Sequence, residues 1–276
     1  GRIPVFVFDW RDDPRKGADW YARQKATLEP HILAQEVDRD YEASVTDAWI
    51  PGPLVATAAE RGPAGVPTGG GLRVGVDVAR FGDDKTVVTF RRGRALLAQH
   101  VMAKLDVVQV AARVKVLVAA YNEKPEQIAV DTIGIGAGVA DMLRGWYPDE
   151  VISNRRTGAV DVRKVVVDVN SSLRMDTGED YNLRAFMWRQ MKEWLDGAGI
   201  PNDQELRAEL TALRYSYRGG ELLIESKDDA KKRGIKSPDR ADSLALTFAI
   251  PTIPKTKDPT MFVPAPVFDS GMGALG

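Results

Sequence analysis

The chain has 276 residues, 44% hydrophobic and 28% charged, enough for one or two domains of roughly 150 residues each and too apolar for disorder throughout. Lys and Arg total 38, Asp and Glu 39, for a formal net charge of −1, which lacks the basic excess of a protein that coats nucleic acid. There is no cysteine and there are two histidines, His31 and His100; disulfides, thiol nucleophiles and Cys-ligated zinc are excluded, and chemistry falls to carboxylates.

Gly1-Arg2-Ile3-Pro4 starts the chain without Met or a signal-peptide pattern, as a piece of a larger protein would. No apolar run reaches the roughly 18 residues of a membrane span. Val5–Phe8 reads as a short strand. Asp13-Pro14 predicts the start of a helix through Trp20, Tyr21 and Leu28, and Pro30 another, with Ile32, Leu33 and Val37 at helical spacing. Pro53 predicts a short helix through Ala59. Residues 62–71, Gly-Pro-Ala-Gly-Val-Pro-Thr-Gly-Gly-Gly, read as a flexible linker. Residues 1–61 are too few for a self-sufficient domain; they read as a short, mostly helical end of a preceding domain, and 72–250 as the main one.

Leu72–Val78 alternates, and a Gly-Asp-Asp turn leads into Thr86–Phe90 as a hairpin, with Arg94–Met102 as a third strand. Val107–Tyr121 predicts a helix with Val108, Ala111, Ala112, Val114, Val118 and Ala119 on or near one face. Ile128–Asp131 is a short strand that Gly134-Ile135-Gly136-Ala137-Gly138 turns into a helix through Leu143. After the β-branched run Val165–Val169, Asn182 caps a helix with Leu183, Phe186, Met187, Trp194 and Leu195 in its stripe. Asn202-Asp203 opens a helix through Leu213, Tyr215–Ile224 is a hairpin around Gly219-Gly220, and Ser237-Pro238-Asp239 starts a last helix through Phe248. Residues 251–276 read as a flexible tail. Three meandering strands followed by alternating helices and strands predict an α/β domain with a mixed sheet.

Three acidic residues recur in similar contexts. Asp77 lies in the apolar strand Val74-Gly75-Val76-Asp77-Val78, Asp131 ends Ile128-Ala129-Val130-Asp131, and Asp242 falls in the first turn of the last helix. Singly, each is a plausible turn or helix-start residue. Together at buried strand ends they would repel unless paired or bound to a cation, and hard ions such as Mg²⁺ or Mn²⁺ take such oxygen ligands.

The stretch Val74-Gly75-Val76-Asp77-Val78-Ala79-Arg80-Phe81-Gly82-Asp83-Asp84-Lys85-Thr86 resembles the first acidic motif of the nuclease domain of phage large terminase subunits. Ala129-Val130-Asp131-Thr132-Ile133-Gly134-Ile135-Gly136 is similar to the second, and Lys236-Ser237-Pro238-Asp239-Arg240-Ala241-Asp242-Ser243-Leu244-Ala245-Leu246 to the third. Gln35-Glu36-Val37-Asp38-Arg39-Asp40-Tyr41 resembles the stretch that closes the terminase ATPase domain. The resemblance implies an RNase H-like mixed β-sheet flanked by helices, and a DNA endonuclease of the packaging motor that uses two Mg²⁺ or Mn²⁺ ions. It implies Asp77, Asp131 and Asp242 as metal ligands, with Asp83 and Asp239 accessory. Arg80, Lys85, Lys227, Lys231, Lys232, Arg233, Lys236 and Arg240 would then meet backbone phosphates.

The implied partners are double-stranded DNA, the portal protein and the small terminase subunit, at the procapsid portal in the host cytoplasm; the fragment itself is expected to be monomeric. No G-x-x-x-x-G-K-[ST] occurs, so no ATPase activity is expected. Two other readings stay open: an actin-like or sugar-kinase-like ATPase of related fold, and a non-catalytic packaging module. Trp146, Trp188 and Trp194 are candidates for base stacking, Trp194 being the one whose helix face predicts core. By region, residues 1–70 hold 8 basic and 11 acidic residues, leaving 30 and 28 for the rest. The later part is thus mildly basic around its acidic cluster.

Overall fold

The β-branched runs after residue 72 come together in one sheet. The structure, a computed structural model, describes residues 10–27, 48–79, 85–153 and 160–249. Strands β1 (Arg73–Asp77), β2 (Thr86–Arg92), β3 (Ala95–Met102), β4 (Gln127–Asp131) and β7 (Val166–Val169) form a five-stranded sheet in the order β3-β2-β1-β4-β7. The β1–β2 and β2–β3 pairs are antiparallel, while β4 is parallel to β1 and β7 to β4. This is the mixed sheet that the strand pattern predicts, in the RNase H-like form that the resemblance implies. Two small hairpins, β5 (Glu150–Ser153) with β6 (Val160–Arg163) and β8 (Tyr215–Arg218) with β9 (Glu221–Ile224), lie outside it.

Eight α-helices are described: α1 (Ala18–Thr27), α2 (Gly52–Arg61), α3 (Val107–Ala119), α4 (Gly136–Trp146), α5 (Leu183–Leu195), α6 (Gln204–Leu210), α7 (Lys227–Lys232) and α8 (Asp239–Leu246). Because strand side chains alternate between faces, the sheet divides two cores. Val74, Val76, Ile128 and Val130 pack with Val110, Val114 and Leu143 of α3 and α4. Ala129, Val167 and Val169 pack on the other side with Trp188, Leu206 and Leu244 of α5, α6 and α8. Trp49, Ile50, Val55 and Ala58 are buried in that second core, so α2 packs with this unit. The Gly/Pro stretch that follows is pinned where Arg94 N–H donates to the Pro67 carbonyl at 3.0 Å.

Arginines satisfy carbonyls that the helix ends leave without partners. Arg61 Nη1 donates to the Ala198 carbonyl at 3.1 Å, Arg94 Nη1 to Trp194 at 3.0 Å, and Arg91 Nη2 to Thr247 at 2.9 Å. No helix among the described residues is long and apolar enough to cross a membrane.

The structure differs from the sequence expectation in several places. α1 starts at Ala18 and not at Pro14, because the Asp13 carboxylate is taken up by the backbone N–H (3.1 Å) and Nε (2.9 Å) of Arg15 in a local turn. In α3 the buried face is Val110, Ala111, Val114 and Val118, and Val108 is 59% exposed; Asp106 and Gln109 form a capping box that sets the helix start. Neither the β5–β6 hairpin nor the short helix α7 was expected. Val5–Phe8, the helix from Pro30, the turn between β1 and β2 and the tail 251–276 lie outside the described residues.

Helix α8 crosses β1 at Gly75, where an added Cβ would stand 2.0 Å from the Ser243 carbonyl oxygen. Gly75→Ala is therefore expected to cost roughly 1–3 kcal/mol or more. Gly145→Ala, on α4 with nothing within 4 Å of its Cβ, should instead add up to about 1 kcal/mol. Urea denaturation of both variants checks the contrast.

Candidate active site

In the parallel β1–β4 pair, Gly75 lies beside Ala129 and Val76 beside Val130. Asp77 and Asp131 therefore end neighbouring strands, roughly 4.8 Å apart, and share the sheet face covered by α5 and α8. Gly136 lets the start of α4 close on this strand end, since a Cβ there would stand 1.8 Å from the Asp131 carbonyl oxygen. α8 is held across β1 and β2 by Ser243. Its hydroxyl lies 3.0 Å from the Gly75 carbonyl and 2.9 Å from that of Val87, and accepts from Thr89 Oγ1 at 2.8 Å. Asp242 precedes Ser243 and so stands over the end of β1, with Asp239 about one turn earlier.

The carboxylates meet buried cationic partners. Asp77, Asp242 and Asp239 are 5%, 6% and 8% exposed. Lys227, the first residue of α7, reaches Oδ2 of both Asp77 and Asp242 at 3.2 Å. Asp242 Oδ1 also receives Arg184 Nη1 at 2.9 Å and the Trp188 indole N–H at 3.0 Å, both from α5. Asp131 Oδ1 accepts the Ile133 N–H at 3.0 Å, and Asp239 Oδ2 the Lys85 N–H at 3.0 Å.

Burial pushes the Asp77 carboxyl up, Lys227 opposes this, and the neighbouring charges of Asp242, Asp131 and Asp239 add to it. Asp131 is also pushed up, chiefly by burial. For Asp242 burial acts upward too, but Arg184 and Lys227 together outweigh it and hold the group below the usual carboxylate range. Lys227 is held above the ordinary lysine value, because Asp242 and Asp77 overcome the effect of its burial.

Asp77, Asp131 and Asp239 open onto a cleft of about 630 Å³, with Lys227, Arg184 and Arg214 also in its wall. Asp242 Oδ2 is buried and faces the Lys227 ammonium at 3.2 Å. A set of all-oxygen donors whose charges raise one another's proton affinity fits a hard divalent cation in donor chemistry. As placed, no three acidic or imidazole side chains among the described residues meet closely enough to hold one ion; Asp77 and Asp242 instead share the Lys227 ammonium.

Four of the five acidic candidates are thus brought to one end of the sheet, while Asp83 lies outside the described residues. Among the basic candidates, Arg80 also lies outside them. Lys227 is engaged by the carboxylates. Lys85 pairs with Glu205, Lys232 with Asp229, Arg233 with Glu225, and Arg240 with Asp203 and Glu205. Lys231, Lys236 and Arg240 line a second cleft beyond the start of α8. Of the tryptophans, Trp188 is fully buried on Asp242, Trp194 donates to the Gly93 carbonyl at 2.8 Å, and Trp146 stacks under Lys115.

Sequence reading missed Arg184 and Glu209. Arg184 shares a helix face with Trp188 at i, i+4 spacing, a signal that is silent until α5 is placed against α8. Glu209 on α6 caps α8 from outside: Oε2 accepts the N–H groups of Arg240 at 2.7 Å and Ala241 at 3.0 Å. Pro238 supplies no side-chain cap, so this carboxylate meets the donors that the helix start leaves unsatisfied.

No protein-family model and no curated protein matches the sequence. Among solved structures, the chain is similar to the nuclease domain of the large terminase subunit of bacterial virus Sf6. A lysine-to-alanine variant of that domain with manganese and β-thujaplicinol aligns at a TM-score of 0.61 and 16% identity, over 74% of this chain and 100% of that one. The same kind of variant with calcium gives 0.61 and 17% over the same shares, and the domain without a substitution 0.57 and 16%. What these chains share is the fold.

Burial raises the Glu209 carboxyl to about 7 despite the two N–H groups it accepts. An acid raised in the folded state loses stability as pH climbs from its unfolded value of about 4.5 to about 7. Glu209→Gln keeps an acceptor without the charge. In EDTA it should match wild type near pH 4 and exceed it by on the order of 2 kcal/mol at pH 8, as read by urea denaturation across pH.

Proposed function

We propose, from the fold shared with the phage terminase nuclease domain, that this chain is the nuclease part of a large terminase, a metal-dependent endodeoxyribonuclease that cuts concatemeric duplex DNA during packaging. The observation that carries the reading is the convergence of Asp77, Asp131 and Asp239 on one cleft at the end of an RNase H-like sheet, with Asp242 joined to Asp77 through the Lys227 ammonium.

In this reading Asp77, Asp131 and Asp242 would hold Mg²⁺ or Mn²⁺, as two ions, with Asp239 and Asp83 accessory. The Sf6 domains carry manganese or calcium, and the oxygen donors here suit the same class of ion. Such an ion, when bound, lowers the pKa of a water and offsets charge on the phosphate. The chain's own residues set the frame. Arg184 and Trp188 hold Oδ1 of Asp242, so that Oδ2, which faces Lys227, is the oxygen turned toward Asp77 and would be the one to meet an ion. The Ile133 and Lys85 N–H groups fix the rotamers of Asp131 and Asp239. Lys227 balances two of the carboxylates.

We propose little sequence specificity, because no motif in the sequence reads as a groove-inserting recognition helix. The portal protein and small terminase subunit, met at the procapsid portal in the host cytoplasm, belong to the same proposal.

Supercoiled plasmid should be nicked in Mn²⁺ or Mg²⁺ and left intact in EDTA. Asp77→Ala or Asp242→Ala should lower the rate by roughly 10²-fold or more. Cleavage that survives Asp77→Ala overturns the mechanism, and ATP turnover without cleavage would favour a related-fold ATPase. Gel electrophoresis of the plasmid forms and a phosphate-release assay read both.

A further inference from the structure

Arg184, in the wall of the cleft, has hydrogen-bonding capacity that the described residues do not meet. Its side chain is 12% exposed, and Nη1 is used on Asp242 Oδ1 at 2.9 Å. Nε and Nη2 are both buried and have no hydrogen-bond partner among the described residues. These two nitrogens form one edge of the guanidinium, a rigid pair of parallel donors. Arg189, one helical turn away, shows how such an edge is used when its partner is internal. Its Nε and Nη2 grip Asp180 at 3.0 and 2.7 Å. A permanently charged donor pair buried without an acceptor is unfavourable, and folded proteins rarely leave one so.

The place of the edge narrows what can meet it. Arg184 stands in the wall of the cleft that Asp77, Asp131 and Lys227 also line. Its Cζ lies 5.6 Å from the Trp188 ring centroid, and Trp188 is itself bonded to Asp242. A free carboxylate ligand would be one more anion among four acidic residues. A phosphodiester offers two non-bridging oxygens at a spacing that matches the edge, and it arrives with the charge partner that the carboxylates are proposed to hold.

We infer that the Nε–Nη2 edge of Arg184 binds the non-bridging oxygens of the DNA phosphate presented to Asp77, Asp131 and Asp242. The inference rests on the nuclease reading above and adds a residue that touches the substrate. Arg184 thereby has two duties, holding Asp242 through Nη1 and the phosphate through the opposite edge. A lysine can perform the first as a point charge but cannot reproduce the fork.

The test uses the full chain with a fluorescein-labelled duplex, and compares wild type, Arg184→Lys and Arg184→Gln. Mn²⁺ binding without DNA is followed by electron paramagnetic resonance, folding by thermal denaturation, and cleavage by single-turnover kinetics at saturating Mn²⁺ and DNA. Arg184→Lys should keep its melting temperature and bind Mn²⁺ within about twofold of wild type, yet cleave roughly 10²-fold more slowly, the loss that follows removal of a preorganised donor to a developing oxyanion. Arg184→Gln should lower the slope of log affinity against log salt by about 0.9, the contribution of one phosphate contact. Cleavage by Arg184→Lys within threefold of wild type overturns the inference. So does a loss of cleavage that tracks a loss of Mn²⁺ binding, since Arg184 would then act only through Asp242. If wild type neither binds Mn²⁺ nor cuts the duplex, the nuclease reading itself fails and this inference falls with it.

Discussion

A backbone carbonyl, that of Ser243, occupies the space where any side chain on residue 75 would have to be. Because position 75 is glycine, α8 lies directly on β1, and the Ser243 hydroxyl reaches carbonyls on both β1 and β2. That contact sets the height and rotation of the helix, and Asp242 is the residue just before it. Period-two alternation puts Gly75 and Asp77 on the same face. The approach that seats the helix therefore also brings its carboxylate over the strand end.

Crowding four carboxylates this closely has to be offset, and the structure uses three kinds of partner. The Lys227 ammonium bridges Asp77 and Asp242. Arg184 and the Trp188 indole take one oxygen of Asp242. Backbone N–H groups of Ile133 and Lys85 take one oxygen each of Asp131 and Asp239. Further out, Glu205 and Glu209 on α6 hold Arg240, Lys85 and the start of α8. The acidic and basic totals are nearly equal, and the placement of these pairs shows where much of that balance is spent. Lys85, Lys227, Lys232, Arg233 and Arg240, all singled out from the sequence as basic candidates, have carboxylate partners of their own within the fold.

Much of the sheet was legible because its strands are short β-branched runs whose alternation has one meaning when one face meets α3 and the other α5 and α8. Helix starts were legible where an Asp or Asn cap acts on its own helix, as Asn182 and Asp203 do. The cap of α8 was not, because it is Glu209, about thirty residues upstream on another helix. The β5–β6 hairpin left no clear trace, since Val151 and Val162 are exposed and show no core-facing alternation. Helix α7 is six residues of mostly charged sequence, and its delivery of Lys227 to two carboxylates is invisible without the fold.

The sequence by itself determined the alternation that makes β1 and β4 strands, the presence of an aspartate at the end of each and in the first turn of the last helix, and the absence of thiolate and near absence of imidazole ligands. These are local facts, carried by neighbouring residues. Only the tertiary structure decided which charges meet. Arg184 and Trp188 from α5 and Lys227 from α7 come to the same two carboxylates, and Nε and Nη2 of Arg184 stay without a partner among the described residues. The reason is physical: a pairing between groups 54 or 150 residues apart has no period in the sequence and depends on how whole elements pack.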